Sequence, residues 1–163
     1  MSAPHLVVLG SLNVDLIINV EDLPKSGQTI FSESFIIENG GKGANQAVAA
    51  SRLGATVTMI GRVGVDVFSE QVLTDLRSEA VDVSRITKDL NHSTGIALIT
   101  VDSKSENTIV VSSGANMNCG QVELDFLHDR IVGANCLMLQ NEIPLQINLE
   151  AANIAQRNNV PVI

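Results

Sequence analysis

Apolar residues fall in short runs along this chain, and their spacing alternates between strand-like and helix-like. Leu6 to Leu9 is continuous, as expected of a strand buried on both faces of a parallel sheet. "LIINV" and "QTIFSESFII" follow, parted by the breaker "LPKSG", and both read as β-structure. Within the second, Phe31, Phe35 and Ile37 fall on one side by period two. A short Ala-rich helix is expected from about Gly43, with Gly54 as its C′ residue. "TVTMI" reads as a strand, and Asp66 as the N-cap of a helix in which Phe68, Val72 and Leu76 recur at i+4. "STGIALITV" and "NTIVVSS" read as strands joined through "DSKSEN". After "GANMNCG", Leu124, Leu127 and Ile131 predict one helix face, and Leu145, Leu149 and Ala152 a second. "CLMLQ" between them reads as a strand, and "VPVI" as the start of another.

Strand and helix therefore alternate at both ends, with β interludes over approximately 14–38 and 95–111. An α/β sheet carrying a separate small β-sheet accounts for both signals. The 163 residues suit one domain, without internal repeats or low-complexity segments.

Composition narrows the partners. Eighteen acidic against ten basic residues give a net charge of −8, whereas nucleic acid or an anionic membrane requires a basic footprint. Trp and Tyr are absent and there are four Phe, so base-stacking platforms are nearly excluded and a bound sugar must be held by hydrogen bonds. No apolar run approaches the roughly 18 residues that span a bilayer, and no secretory signal pattern is visible. Cys119 and Cys136 make no metal or redox spacing and read as buried, inert thiols in a reducing cytosol. His5, His92 and His128 are too dispersed to nominate a metal site. A cytoplasmic protein without nucleic-acid or membrane partners is expected.

The candidate chemistry centres on "ENGGKGANQAVAASRLGA", Glu38 to Ala55. A phosphate-binding P-loop needs Ser or Thr after its Lys and Gly five residues before the second Gly; here Gly43 follows Lys42, and Ile36 stands at the earlier position. The dinucleotide fingerprint fails as well, because Gln46 replaces its third glycine. What remains is a backbone open to close approach, helix-start N–H groups expected to face a ligand, and the donor and acceptor of Asn45. That equipment suits a neutral polyhydroxylated molecule; a plain strand-to-helix turn is the bland alternative. Asn13 and Asp15 follow the first strand, at the carboxyl end where open α/β sheets bind ligands. Asp15 suits vicinal hydroxyls, or else caps a local turn. Glu142 also follows a strand; alone, it reads as a first-turn acid in the field of the helix after Pro144.

"GSLNVD", "GGKGANQA", "RLGA", "GRVGVD", "STGIALI", "GAN" and "LQNEIP" together resemble the PfkB carbohydrate kinases, and within them the ribokinases, over essentially the whole chain. The glycine pair, Asn45, Ala47, Gly54 and Gly64 satisfy the first family signature; Ser69 departs from it where glycine is usual. The resemblance implies a ribokinase-like α/β sheet with helices on both faces and a small β-sheet lid, truncated at the C-terminus. Position-matching assigns Asn13, Val14, Asp15, Gly41, Lys42, Gly43, Ala44, Asn45 and Glu142 to ribose, with Ala97 and Ile109 as lid contacts. It implies transfer of the ATP γ-phosphoryl group to the 5-hydroxyl of ribose, with Mg2+ and a monovalent cation (K+), in a homodimer paired through the lid. The family's catalytic aspartate comes from a late "GAGD" motif that is not present here, so no catalytic or metal-binding residue is assigned in this chain. Truncation inside a strand at "NNVPVI" is expected, and with it inactivity and compromised folding of the 163 residues alone. A non-catalytic sugar-binding half-protein and a kinase of another pentose or a nucleoside are the alternatives.

Overall fold

The computed structural model describes residues 3–32 and 34–163. A parallel sheet forms the body. Its strands are β1 (His5–Leu9), β4 (Thr56–Gly64), β5 (Val81–Asp89) and β8 (Cys136–Met138), in the order β5-β4-β1-β8. Val162 bridges Leu137 in parallel, so "VPVI" does lie alongside β8. Helices cover both faces of this sheet. On one face, α1 (Lys42–Arg52) and α2 (Val67–Ser78) pack Ala44, Ala47, Ala50, Val72, Leu73 and Leu76 against Val8 and Met59. On the other, α3 (Gln121–Ile131) and α4 (Leu145–Arg157) pack Leu124, Leu127, Ile131, Ala151 and Ile154 against Val7 and Leu9. The continuous apolar run of β1 thus feeds two cores by alternation, as a two-sided parallel sheet requires.

A second sheet is built from β2 (Asn13–Asn19), β3 (Ser34–Gly40), β6 (Gly95–Val101) and β7 (Asn107–Ser112), in the order β3-β2-β6-β7. Paired residues share a face. Val14 and Leu16 turn into the body core on one face, while Asn13 and Asp15 turn to the other in register with Gly40 and Glu38 of β3 and with Gly95 and Ala97 of β6. A short 3-10 helix, Gly114–Asn118, follows β7 and returns the chain to the body.

Local signals act as expected at two helix ends. α1 closes in a Schellman motif: Gly54 has φ +92°, its N–H reaches Ser51 O, and that of Ala55 reaches Ala50 O. Asp66 caps α2, accepting from Ser69 N–H at 2.9 Å, and also clamps Thr94 at the entry to β6 through its N–H (2.7 Å) and hydroxyl (2.8 Å). Burial alone would raise the Asp66 carboxyl; the hydrogen bonds from Thr94 and Ser69 outweigh it and hold it below its ordinary value of 3.8. A depressed folded-state pKa adds stability that is present above the unfolded value and lost as pH falls through the folded one. We therefore expect Asp66→Ala to lower the unfolding free energy by about 2 kcal/mol at neutral pH. Urea melts should show that gap narrowing below about pH 4.

Four features depart from the pattern read in the sequence. Val81–Asp89 is a strand that the apolar pattern does not mark, because Ser84, Arg85 and Lys88 interrupt the run and a bulge opposite Thr58–Ile60 breaks its alternation. Phe31 lies outside β3 and is 93% exposed, so only Phe35 and Ile37 share a strand face. The buried face of α4 is Asn148, Ala151, Ile154 and Ala155, while Leu145 and Leu149 point outward. The polar Asn148 occupies the buried face because it donates to Gln140 O at 2.7 Å. The fourth, at the start of α1, concerns the site itself. Both cysteines are buried and free, and burial pushes the Cys119 thiol up to about 12.

Candidate functional site

Gly10, Ser11 and Leu12 carry the chain from the end of β1 in one sheet to the start of β2 in the other. The start of α1 and the loop after β8 meet this crossover. Glycine makes the approach possible. A Cβ on Gly43 would lie 2.6–2.8 Å from backbone atoms of Ser11 and Gly10, and one on Gly41, whose φ is +88°, would lie 2.9 Å from Asn13 N and Ser11 O.

The helix-start amides expected to face a ligand are already committed. Lys42 N–H donates to Glu142 Oε2 at 2.9 Å and Gly43 N–H to Ser11 Oγ at 3.1 Å. Ala44 N–H donates to Ser11 O at 3.0 Å and Asn45 N–H to Gly41 O at 2.9 Å. A helix start packed against backbone cannot leave its orphan donors empty, and Ser11 and Glu142 fill them. Glu142 is therefore a cap of α1 supplied from the far end of the chain, not a first-turn acid of α4. It also accepts from the Ser11 hydroxyl at 2.7 Å and pairs through Oε1 with the Lys42 ammonium. Burial alone would raise its carboxyl, but the Lys42 N–H, the Lys42 ammonium and the Ser11 hydroxyl together hold it below the ordinary range.

Asp15 differs. It is half-buried, it caps no turn because it lies inside β2 between its partners Glu38 of β3 and Ala97 of β6, and no protein donor reaches its carboxylate among the described residues. A Cβ on Gly40 would fall 2.1 Å from Asp15 Oδ1, so glycine there makes room for the carboxylate. Desolvation, then the neighbouring charges of Glu142 and Glu38, push its pKa up, against the pull of Lys42. A carboxylate held without donors beside two others keeps its acceptor lone pairs unfilled.

Asn13 sits two residues away on the same face. Its Oδ1 accepts from Asn116 Nδ2 at 2.7 Å, and Asn116 in turn holds Leu12 by N–H (2.9 Å) and carbonyl (3.2 Å). Asn13, Asn116, Asn141 and Glu142 line one cavity of about 260 Å³, with Val111 and Met117 as its apolar wall. Gln140 braces the crossover, accepting from Ser11 N–H and donating to Leu9 O, both at 3.3 Å. Ser11, Asn116 and Gln140 escaped the sequence reading although each lies inside a quoted motif. Their role is to hold neighbours, and neutral polar residues beside carboxylates carry no signal of that.

The other expected residues distribute unevenly. The Val14 and Ala44 side chains are buried in the body core, away from Asn13 and Asp15. Asn45 is exposed and lines a groove of about 680 Å³ with Val48, Ile37 and Glu38, the last paired with Asp15 across the sheet. Ala97 lies beside Asp15 on β6 and Ile109 opposite Ile99 on β7, both on the Asp15 face. Among the described residues no group of three or more His, Cys, Asp or Glu side chains is placed to hold a metal ion. With its amides committed, the start of α1 does not form a phosphate cradle.

A family model described as pfkB family carbohydrate kinase matches residues 3–163. The ribokinase of Schizosaccharomyces pombe is 41% identical over 98% of this chain and 52% of its own length. That of Haemophilus influenzae is 40% identical over 97% of this chain and 52% of its own. A solved ribokinase of Arabidopsis thaliana, complexed with ribose and ATP, superposes with a TM-score of 0.85 at 32% identity, over 99% of this chain and 53% of that one. The chain spans about half the length of the relatives it matches.

Proposed function

We propose, for a chain that belongs to the pfkB carbohydrate kinase family, that it supplies the sugar-holding half of a ribokinase, which phosphorylates D-ribose at its 5-hydroxyl. The observation that carries this reading is the unpartnered Asp15 carboxylate, set beside Asn13 and the glycine turn at the carboxyl end of β1. Asp15 grips vicinal hydroxyls as an acceptor and is not the general base. Asn13, the Gly41–Gly43 backbone, Lys42 and Glu142 bound the sugar, and Asn45 meets it at the rim. Ala97 and Ile109 lie on the small sheet, which closes over the sugar as a lid. ATP, when bound, supplies the phosphoryl group; Mg2+ and K+ are implied by the family alone. The chain's own contribution is to hold the acceptor hydroxyl in place, which is most of what phosphoryl transfer asks of a protein. On the lid face opposite Asp15, beyond the part where Val14 and Leu16 pack on the body, Phe35, Leu98 and Val110 stay exposed, and a second copy covers them in a cytoplasmic homodimer.

The test is ATP-dependent phosphorylation across a panel of pentoses and nucleosides by the full-length protein. Turnover of ribose ahead of the rest supports the reading; turnover of another member, or binding without turnover, replaces it. A pH series adds a second check. The gripping form of Asp15 is ionised, and its pKa lies above 3.8. Ribose affinity is expected to rise with pH through that raised value, and Asp15→Asn to flatten the rise; titration calorimetry from about pH 4 to about pH 8 measures it.

A further inference from the structure

Two side-chain amides at the head of β2 have only one self-consistent orientation. Asn116 is 1% exposed and faces the backbone of Leu12 edge-on. The Leu12 N–H requires an acceptor, so it takes Asn116 Oδ1 at 2.9 Å; the Leu12 carbonyl requires a donor, so it takes Nδ2 at 3.2 Å. This backbone pair leaves Asn116 no freedom to flip. Its second Nδ2 proton then points at Asn13, 2.7 Å away, and the atom of Asn13 that meets it must be the acceptor Oδ1. The Asn13 NH2 is thereby turned the other way. No protein acceptor meets it among the described residues, and Asn13 lines the cavity shared with Asn141 and Glu142. Gly95 is part of the device, since a Cβ there would lie 2.1 Å from Asn13 Oδ1 and 2.4 Å from Asn116 Nδ2.

We infer that Asn116 is a positioning residue that locks the Asn13 amide with its NH2 toward the bound sugar, so that the head of β2 offers a donor at Asn13 and an acceptor at Asp15. Resting on the ribose reading, this sets a polarity for the ligand: one hydroxyl oxygen must accept at Asn13 while another hydroxyl donates to Asp15. An amide free to rotate would serve either pattern and discriminate neither.

The experiment has a ligand-free arm and a binding arm, both on the full-length protein. In the ligand-free arm, NMR seeks a scalar correlation across the hydrogen bond from the Asn116 side-chain nitrogen to the Asn13 side-chain carbonyl carbon. The correlation is expected in this direction; the reverse direction overturns the inference whatever sugar binds. In the binding arm, Asn116→Ala is expected to raise the KM for ribose about tenfold with kcat changed less than about twofold. A structural role alone would lower kcat and active fraction together without that split. Should Asn116→Ala not fold, Asn13→Asp replaces it. Its carboxylate still accepts from Asn116 but presents oxygen where NH2 stood, and ribose affinity is expected to fall at least about tenfold. Unchanged ribose affinity in Asn13→Asp, or unchanged KM in a folded Asn116→Ala, overturns the inference. Failure of the unsubstituted protein to bind ribose removes the ribose reading, and the direction of the NMR correlation then decides this inference by itself.

Discussion

Asp15→Ala in the full-length protein is expected to raise the dissociation constant for ribose about a hundredfold, equivalent to about 2.7 kcal/mol, while leaving the protein at least as stable as before. The two effects have one cause. Asp15 carries a charge that burial disfavours and that Glu142 and Glu38 repel more than Lys42 attracts, and no donor among the described residues compensates it. A group whose folded-state pKa is raised contributes stability that is full below its unfolded value and lost as pH rises through the folded one. At neutral pH its ionisation therefore works against folding, and removing it relieves the repulsion. A bound sugar would supply the missing donors, each worth about 1.5–3 kcal/mol to a charged acceptor. Calorimetric titration with ribose beside a thermal melt tests both halves. Loss of stability with affinity intact would make Asp15 a structural carboxylate. Normal affinity with turnover abolished would make it the general base.

How much of this was legible in the sequence depends on the reach of each signal. Caps and glycine turns act over three or four residues, so Asp66 and Gly54 could be read directly. Leu124, Leu127 and Ile131 were also legible, because these three supply all the buried apolar side chains of α3, beside the buried Glu123. β5 was hidden because it is an edge strand of the sheet: Arg85 and Lys88 reach acids, in the Arg85–Asp129 and Lys88–Glu70 pairs, while the backbone still pairs with β4. α4 misled for the opposite reason. Leu145 and Leu149 repeat at helical spacing, yet the buried stripe is smaller in volume and includes Asn148. The site shows the same division. Asn13, Asp15 and Glu142 stood out as polar residues at strand ends, but their roles depend on contacts across 100 or more residues of chain, such as Lys42 N–H to Glu142 and Leu12 to Asn116. No local pattern records that Glu142 fills the start of α1, so the amides there read as free.

Gly43→Ala is expected to lower the unfolding free energy by about 3 kcal/mol or more, although helix propensity alone argues for a gain of about 1 kcal/mol. The conflict makes the substitution informative. Gly43 lies within α1 and needs no left-handed backbone, so nothing in its own conformation opposes alanine. What opposes it is Ser11: the new Cβ would sit 2.6 Å from its nitrogen and 2.7 Å from its oxygen, and 2.8 Å from the carbonyl carbon of Gly10. These are backbone atoms and cannot rotate aside. The same two residues are pinned by Gly43 N–H to Ser11 Oγ, Ala44 N–H to Ser11 O, and Gly10 N–H to Ile60 O. Relief therefore requires α1 to lift from the crossover, breaking the bonds that seat Glu142 and opening the side of the cavity it lines. Gly120→Ala is the control, since its Cβ would meet nothing nearer than 3.7 Å, and it is expected to cost less than about 1 kcal/mol. Urea midpoints of the two variants compare them directly. A Gly43 variant as stable as the parent would mean that α1 does not sit on Ser11, and the site built on that contact would fall with it.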